Sequence, residues 1–209
     1  MALRHAVLAA LLDRDASGYQ LAKVFDVSVS NFWHCLPQQL YAELARLEAD
    51  GLVSGRQVIQ ERRPNKRVFT LTGAGRDELA RFVAEASRPS FIRDDLLVKV
   101  HAAEAGDAAA LAEQLEERAT QARAKVALFD DLLRQLRGPR DERDFLATGT
   151  RVGPYLTCLR GRSFEQENAV WCTWAAAVLQ ARHRGEPPPP TAEIVRSESD
   201  DLPRGDRRT

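Results

Sequence analysis

A chain of 209 residues has room for one large domain or two small ones. Its 44% hydrophobic content supplies a core, and its 7% aromatic and 29% charged fractions suit a helical globular protein, which excludes a collagen, a mucin and a wholly disordered chain. Thirty basic residues balance thirty acidic ones, so attraction to nucleic acid has to come from a local patch.

From the amino terminus, Leu3, Val7, Ala10 and Leu11 fall on one helical face, so the first short helix is expected over 3–12. Arg4 and His5 interrupt that stretch, and no secretory signal is expected. Ser17 is placed to cap a second short helix over 19–25, with Leu21, Ala22, Val24 and Phe25 as its apolar residues. Residues 28–34 read as a turn anchored by Phe32 and Trp33. Pro37 then suits the first turn of a third helix, whose Leu40, Leu44 and Leu47 form a stripe and which Gly51 closes.

Leu52-Val53 with Val58-Ile59, and then Val68-Phe69-Thr70-Leu71, read as two extended runs joined at the turn signal Pro64-Asn65. The tip of this hairpin is basic: Arg56, Arg62, Arg63, Lys66 and Arg67 stand against Glu61 alone. Thr72 is expected to cap a helix over 74–87 with Leu79, Phe82 and Val83 inward, and Pro89 ends the unit.

Beyond it, Asp94 opens a helix and Gly106-Asp107 opens a longer one lasting to Gly138-Pro139. In the long helix Ala112, Leu115, Ala119, Ala122, Val126, Phe129, Leu133 and Leu136 alternate spacings of three and four, a coiled-coil-like packing face. With the aromatic residues further on, that face points to dimerisation. Residues 138–149 read as a polar loop, 155–184 as a further helix with Gly161 as a point of bending, and 186–209, opening on Pro187 to Pro190, as too polar to bury a core. The expected fold class is mainly α with a small β-hairpin wing. A winged helix-turn-helix DNA-binding domain is expected over 1–88, a helical dimerisation and effector domain over 89–185, and a disordered tail over 186–209.

Several stretches carry a resemblance. Ser17-Gly18-Tyr19-Gln20-Leu21-Ala22, Phe32-Trp33, Gln38-Gln39-Leu40-Tyr41-Ala42-Glu43-Leu44, Leu47-Glu48-Ala49-Asp50-Gly51-Leu52-Val53 and the wing from Arg62 to Thr72 together resemble the PadR family of transcriptional regulators. Leu159-Arg160 leading through Glu165 to Trp171-Cys172-Thr173-Trp174 resembles that family's virulence-activator-like helical domain. The resemblance implies a homodimeric repressor, or less often an activator, on a pseudo-palindromic double-stranded DNA operator, released by a small aromatic effector. It also implies a recognition helix over 37–50 in the major groove and a wing over 61–67 near the minor groove or phosphates.

The residues have their own chemistry. Gln38 and Gln39 carry amides able to pair with adenine edges, and Tyr41 offers a hydroxyl to phosphate or base; all three also suit an ordinary helix surface. Arg62, Arg63, Lys66 and Arg67, with Asn65 among them, can meet phosphates, each neutralised charge adding about 0.9 to the log–log salt slope, unless the tip is only a solvated loop. Ser28, Ser30 and Asn31 can donate to phosphate oxygens or simply satisfy their own turn. Tyr155, Phe164, Trp171 and Trp174 can line an aromatic effector pocket or form the core of a dimer interface.

No nucleophile elbow, phosphate-binding glycine loop or zinc-protease pattern is present, so no catalytic residue is assigned and an enzyme is not expected. The four histidines are scattered, the three cysteines form no paired motif, and no metal or cofactor is expected. No stretch approaches the roughly 18 apolar residues of a membrane span, so a cytoplasmic protein is expected. The alternative function is a winged-helix protein-interaction module without sequence-specific DNA binding, in which the basic wing would have no use.

Overall fold

A computed structural model describes residues 2–25, 35–59, 65–87 and 93–191. It divides into two compact units, Met1–Ser90 and Phe91–Thr209.

In the first unit α1 (Ala2–Ala10) buries Val7 and Leu8 completely. Ser17 does two jobs. It belongs to a two-residue strand, β1 (Ala16–Ser17), too short to announce itself in sequence, and it caps α2 (Gly18–Val24). The cap is reciprocal: Gln20 N–H donates to Ser17 Oγ at 3.3 Å and Ser17 N–H donates to Gln20 Oε1 at 2.9 Å. Helix α3 (Pro37–Ala49) presents Leu40, Leu44 and Leu47 to the core as the stripe predicts. It stops at Gly51, whose φ of 72° lies in the left-handed region. Leu52 N–H then reaches back to the Leu47 carbonyl at 2.8 Å and Gly51 N–H to the Glu48 carbonyl at 3.0 Å, satisfying carbonyls that the helix leaves open.

The chain turns directly into β2 (Val53–Val58), which pairs antiparallel with β3 (Lys66–Leu71) from Val53 opposite Leu71 to Val58 opposite Lys66. Strand β3 is central, with β1 on its other edge in the order β1-β3-β2. Thr72 caps α4 (Gly73–Ala84) by accepting from Gly75 N–H at 3.1 Å. Leu79 is buried there, but two inward expectations fail: Val83 is 77% exposed and Phe82 39%. Only one face of α4 meets the core, and Phe82 lies at its edge, stacked on the His5 ring at 3.9 Å.

In the second unit Asp94 caps α5 (Asp95–His101) and Asp107 caps α6 (Ala108–Arg137), which Gly138 terminates. The segment read as a loop contains a helix, α7 (Glu142–Thr148), capped by Asp141 and seated by the buried Phe145. Seven residues hold too few apolar positions to show a period. The last helix, α8 (Val152–Arg184), is unbroken through Gly161, which is buried within it.

The face of α6 expected to meet a second chain is spent within this one. Ala112, Leu115, Ala119, Ala122, Phe129 and Leu133 are buried, and α8 supplies Tyr155, Cys158, Gly161, Ala169, Cys172 and Ala176 among its buried residues. The helices run antiparallel, and polar pairs set their register: Gln180 with Glu116 and Lys125 with Glu165, each at 2.6 Å, Arg123 with Thr173 at 2.7 Å, and Arg162 with Asp130 at 2.6 Å. Of the tail expected to be disordered, residues 186–191 are described, and the carbonyl of Pro189 accepts from Trp174 Nε1 at 3.4 Å.

Candidate nucleic-acid interface

Helix α3 and the strand pair β2–β3 bring the candidate contacts into one unit. Leu36 lacks a side-chain acceptor to cap α3, so Gln39 supplies half a capping box: its Oε1 accepts from Leu36 N–H at 3.0 Å. Gln39 is exposed but partly committed, its carbonyl spent on the helix and its NH2 left to donate. Gln38 beside it is exposed and, among the described residues, makes no such bond, so its amide is left to pair with an outside group. Tyr41 is 50% exposed and has its ring against Gly18 of α2.

The wing cations divide into distinct groups. Arg56 is 3.8 Å from Asp15, in the connection before β1, and Arg67 donates to Glu48 Oε1 at 2.7 Å, so both face a carboxylate from another part of the same unit. Lys66 opens β3 half-buried, with Asn65 exposed beside it. Arg62 and Arg63 lie outside the described residues, as do Ser28, Ser30 and Asn31. The net charge counted along the hairpin therefore overstates the charge available there, because Asp15 and Glu48 are distant in sequence but adjacent in the fold.

Two exposed groups escaped sequence reasoning. Tyr19, 64% exposed on α2, carries the Lys23 ammonium 5.0 Å from its ring centroid. Arg46 on α3 has a side chain 75% exposed and, among the described residues, only a long 3.4 Å pairing with Glu43. Their signal was available as a cation and an aromatic four apart in the motif helix, and as a cation on the polar side of α3.

The four aromatic residues assigned to an effector or dimer site do not converge within the protomer. Tyr155 is 2% exposed, packed against Phe145 at 5.0 Å and donating its hydroxyl to Glu142 Oε1 at 2.5 Å. Burial, aided by that carboxylate, pushes its pKa up to about 12. Phe164 is half-buried under the Arg160 guanidinium. Trp171 and Trp174 pack against a different cluster, around Leu96, Leu115 and Cys172. Trp174, with Ala169, Val170, Ala177 and Pro189, lines a groove of about 300 Å³. Nineteen residues of helix separate Tyr155 from Trp174, roughly 28 Å.

Cys158 and Cys172 are buried and free, and burial raises both thiols above their ordinary pKa, so neither is a reactive thiolate. Among the described residues no group of histidine, cysteine and carboxylate side chains could hold a metal ion, and no helix is long and apolar enough to cross a membrane.

Both units match known protein families. Residues 7–81 match the model of the transcriptional regulator PadR-like family, and residues 92–180 match that of the virulence activator alpha C-terminal family. A probable transcriptional regulator of Mycobacterium tuberculosis is 35% identical over 193 residues, covering 87% of this chain and 100% of its own. The crystal structure of Bacillus subtilis PadR in complex with operator DNA superposes with a TM-score of 0.69 at 22% identity, covering 81% of this chain and 95% of that one. The same protein in complex with p-coumaric acid gives 0.64 at 20% identity, over 86% and 99%.

Proposed function

The chain belongs to the PadR-like family of transcriptional regulators, and we propose that it acts in the cytoplasm as a homodimeric repressor that binds a pseudo-palindromic operator and releases it on binding a small aromatic molecule. The observation that carries this reading is the exposure of Gln38, Tyr41 and Arg46 on α3 in the same unit as the wing strand that Lys66 opens, with Asn65 just before it. A helix offering amide and hydroxyl groups suits base edges in the major groove, and a hairpin offering cations suits phosphates. Ser28, Ser30, Asn31, Arg62 and Arg63 extend that surface in the proposal. Residues 1–88 form its DNA-binding domain, 89–185 its dimerisation and effector domain, and 186–209 a tail that begins against the second domain, where Pro189 lines the Trp174 groove.

The complexes of Bacillus subtilis PadR with operator DNA and with p-coumaric acid support the assignment of both ligand classes. In this chain Phe164, Trp171 and Trp174, rather than the sealed Tyr155, are the aromatic groups open enough to meet an effector or a second protomer. An effector releases DNA only through a difference in affinity between DNA-competent and incompetent forms, so release has to be measured as a loss of operator affinity.

The test is to sequence the fragments that the purified full chain retains from sheared genomic DNA, then weigh the complex with the recovered duplex. Enrichment of a sequence with two-fold symmetry, half-sites about one helical turn apart and two chains per duplex is the expected result. Retention without sequence preference, or none, would favour the protein-interaction module.

A further inference from the structure

Arg67, by sequence one of the wing's phosphate-seeking cations, already has an anionic partner. Glu48, in the last turn of α3, accepts through one oxygen from Arg67 Nη2 at 2.7 Å and from the Gly55 N–H at 2.9 Å. A Cβ on Gly55 would stand 2.5 Å from Arg67 Nε and 2.6 Å from Glu48 Oε1, so the pair closes over β2 only because this residue has no side chain. The guanidinium also lies 5.8 Å from the Phe69 ring centroid. An exposed ion pair is ordinarily weak, but a carboxylate already fixed by a backbone amide and a guanidinium resting on a ring lose less freedom when they meet. Arg67 nevertheless remains 57% exposed, accessible to a polyanion if Glu48 lets go.

We propose that Glu48 is a specificity-determining positioning residue. It withholds the Arg67 charge from phosphates, so that sequence-independent affinity is kept low, while its bond to Gly55 holds the wing strand to the end of the recognition helix. The proposal rests on the DNA-binding reading above. Its physical basis is that phosphate neutralisation strengthens binding to every sequence alike, whereas base contacts favour one; a masked cation therefore raises the ratio of specific to random binding.

Glu48→Gln keeps an oxygen for the Gly55 amide and removes the charge that holds Arg67. On a random duplex its salt slope should steepen by about 0.9 per freed cation, about 1.8 per dimer, so that the ratio of variant to wild-type affinity changes about tenfold over a roughly fourfold change in salt. Discrimination between operator and random duplex should fall accordingly. Arg67→Gln should leave the slope unchanged. A slope flattened by about 0.9 per protomer in Arg67→Gln, or an unchanged slope in Glu48→Gln, overturns the proposal.

Elution of the full chain from heparin–agarose supplies a reading independent of any operator: Glu48→Gln should elute at higher salt than wild type, and equal elution overturns the masking. If the wild type binds no duplex, the DNA-binding reading fails, while heparin elution still decides whether Glu48 masks Arg67: the shift caused by Glu48→Gln should be larger with Arg67 present than in an Arg67→Gln background, and equal shifts overturn the masking. Should Glu48→Gln lose its circular-dichroism signature, Gly55→Ala, which wedges the pair apart, is read in the same two assays.

Discussion

The ring of Tyr41 lies against the bare backbone of Gly18, where a Cβ would overlap its Cε1 edge. Helix α3 is thereby seated on the first turn of α2, and a residue expected to reach DNA is also part of the packing that aims the helix. Helix propensity alone would favour alanine at position 18. The contact predicts the reverse: Gly18→Ala should destabilise the first unit by about 1–3 kcal/mol through overpacking. The same substitution in a Tyr41→Ala background should be neutral or stabilising. Chemical denaturation of the four proteins in the cycle measures it, and equal effects in both backgrounds would refute the coupling.

Lys66 and Gln38 should separate by the kind of binding each supports. Lys66→Gln is expected to weaken operator and scrambled duplex alike and to reduce the salt slope by about 0.9 per lost phosphate contact. Gln38→Ala is expected to leave the slope in place and to lower discrimination by roughly 1–3 kcal/mol at one base pair of each half-site. Gln39→Ala confounds the comparison, because losing the bond to Leu36 N–H costs helix stability of about 0.5–2 kcal/mol as well. Salt titrations on both duplexes check all three.

The second unit should weaken in alkali through Tyr155. Burial first, and the Glu142 carboxylate second, raise its pKa from 10.0 to about 12. A group with a raised folded-state pKa contributes stability that is fully present below the unfolded value and lost as pH rises through the folded one. The loss is therefore expected between pH 10.0 and about 12. Denaturant titrations of wild type and Tyr155→Phe across that range should show a step in the first that is absent from the second; parallel curves would exclude Tyr155 as its source.

Phe145 is 1% exposed and joins Phe129, Leu133, Tyr155 and Cys158 in one cluster. Phe145→Ala should cost about 3–5 kcal/mol. With two units in the chain a single melting temperature is not a sufficient reading. Hydrogen exchange should show lost protection in α6, α7 and α8 while the first unit is unaffected; a loss confined to α7 would mean that this helix is only an appendage.

Much of the interface was legible because its signals are local. The cap at Ser17, the Leu40–Leu44–Leu47 stripe, the left-handed stop at Gly51 and the β-prone run before Thr72 each depend on residues within one or two turns, and all form the elements they announce. Strand β1 and helix α7 were illegible because two and seven residues carry no period, and each exists through a distant partner, β3 in one case and the Tyr155 cluster in the other.

By itself the sequence determined a helical unit with a basic hairpin, a second helical unit, and the residue types able to read and neutralise DNA. These follow from periodicity, capping and charge, which act over short stretches of chain. The tertiary structure alone decided how those residues are spent. It turned the α6 seam inward onto α8, separated Tyr155 from the tryptophans, and gave Arg67 and Arg56 to carboxylates 19 and 41 positions earlier in the chain. Burial and ion pairing depend on distance in space, and a carboxylate a few ångströms from a guanidinium alters what that cation can bind however far apart the two stand in sequence.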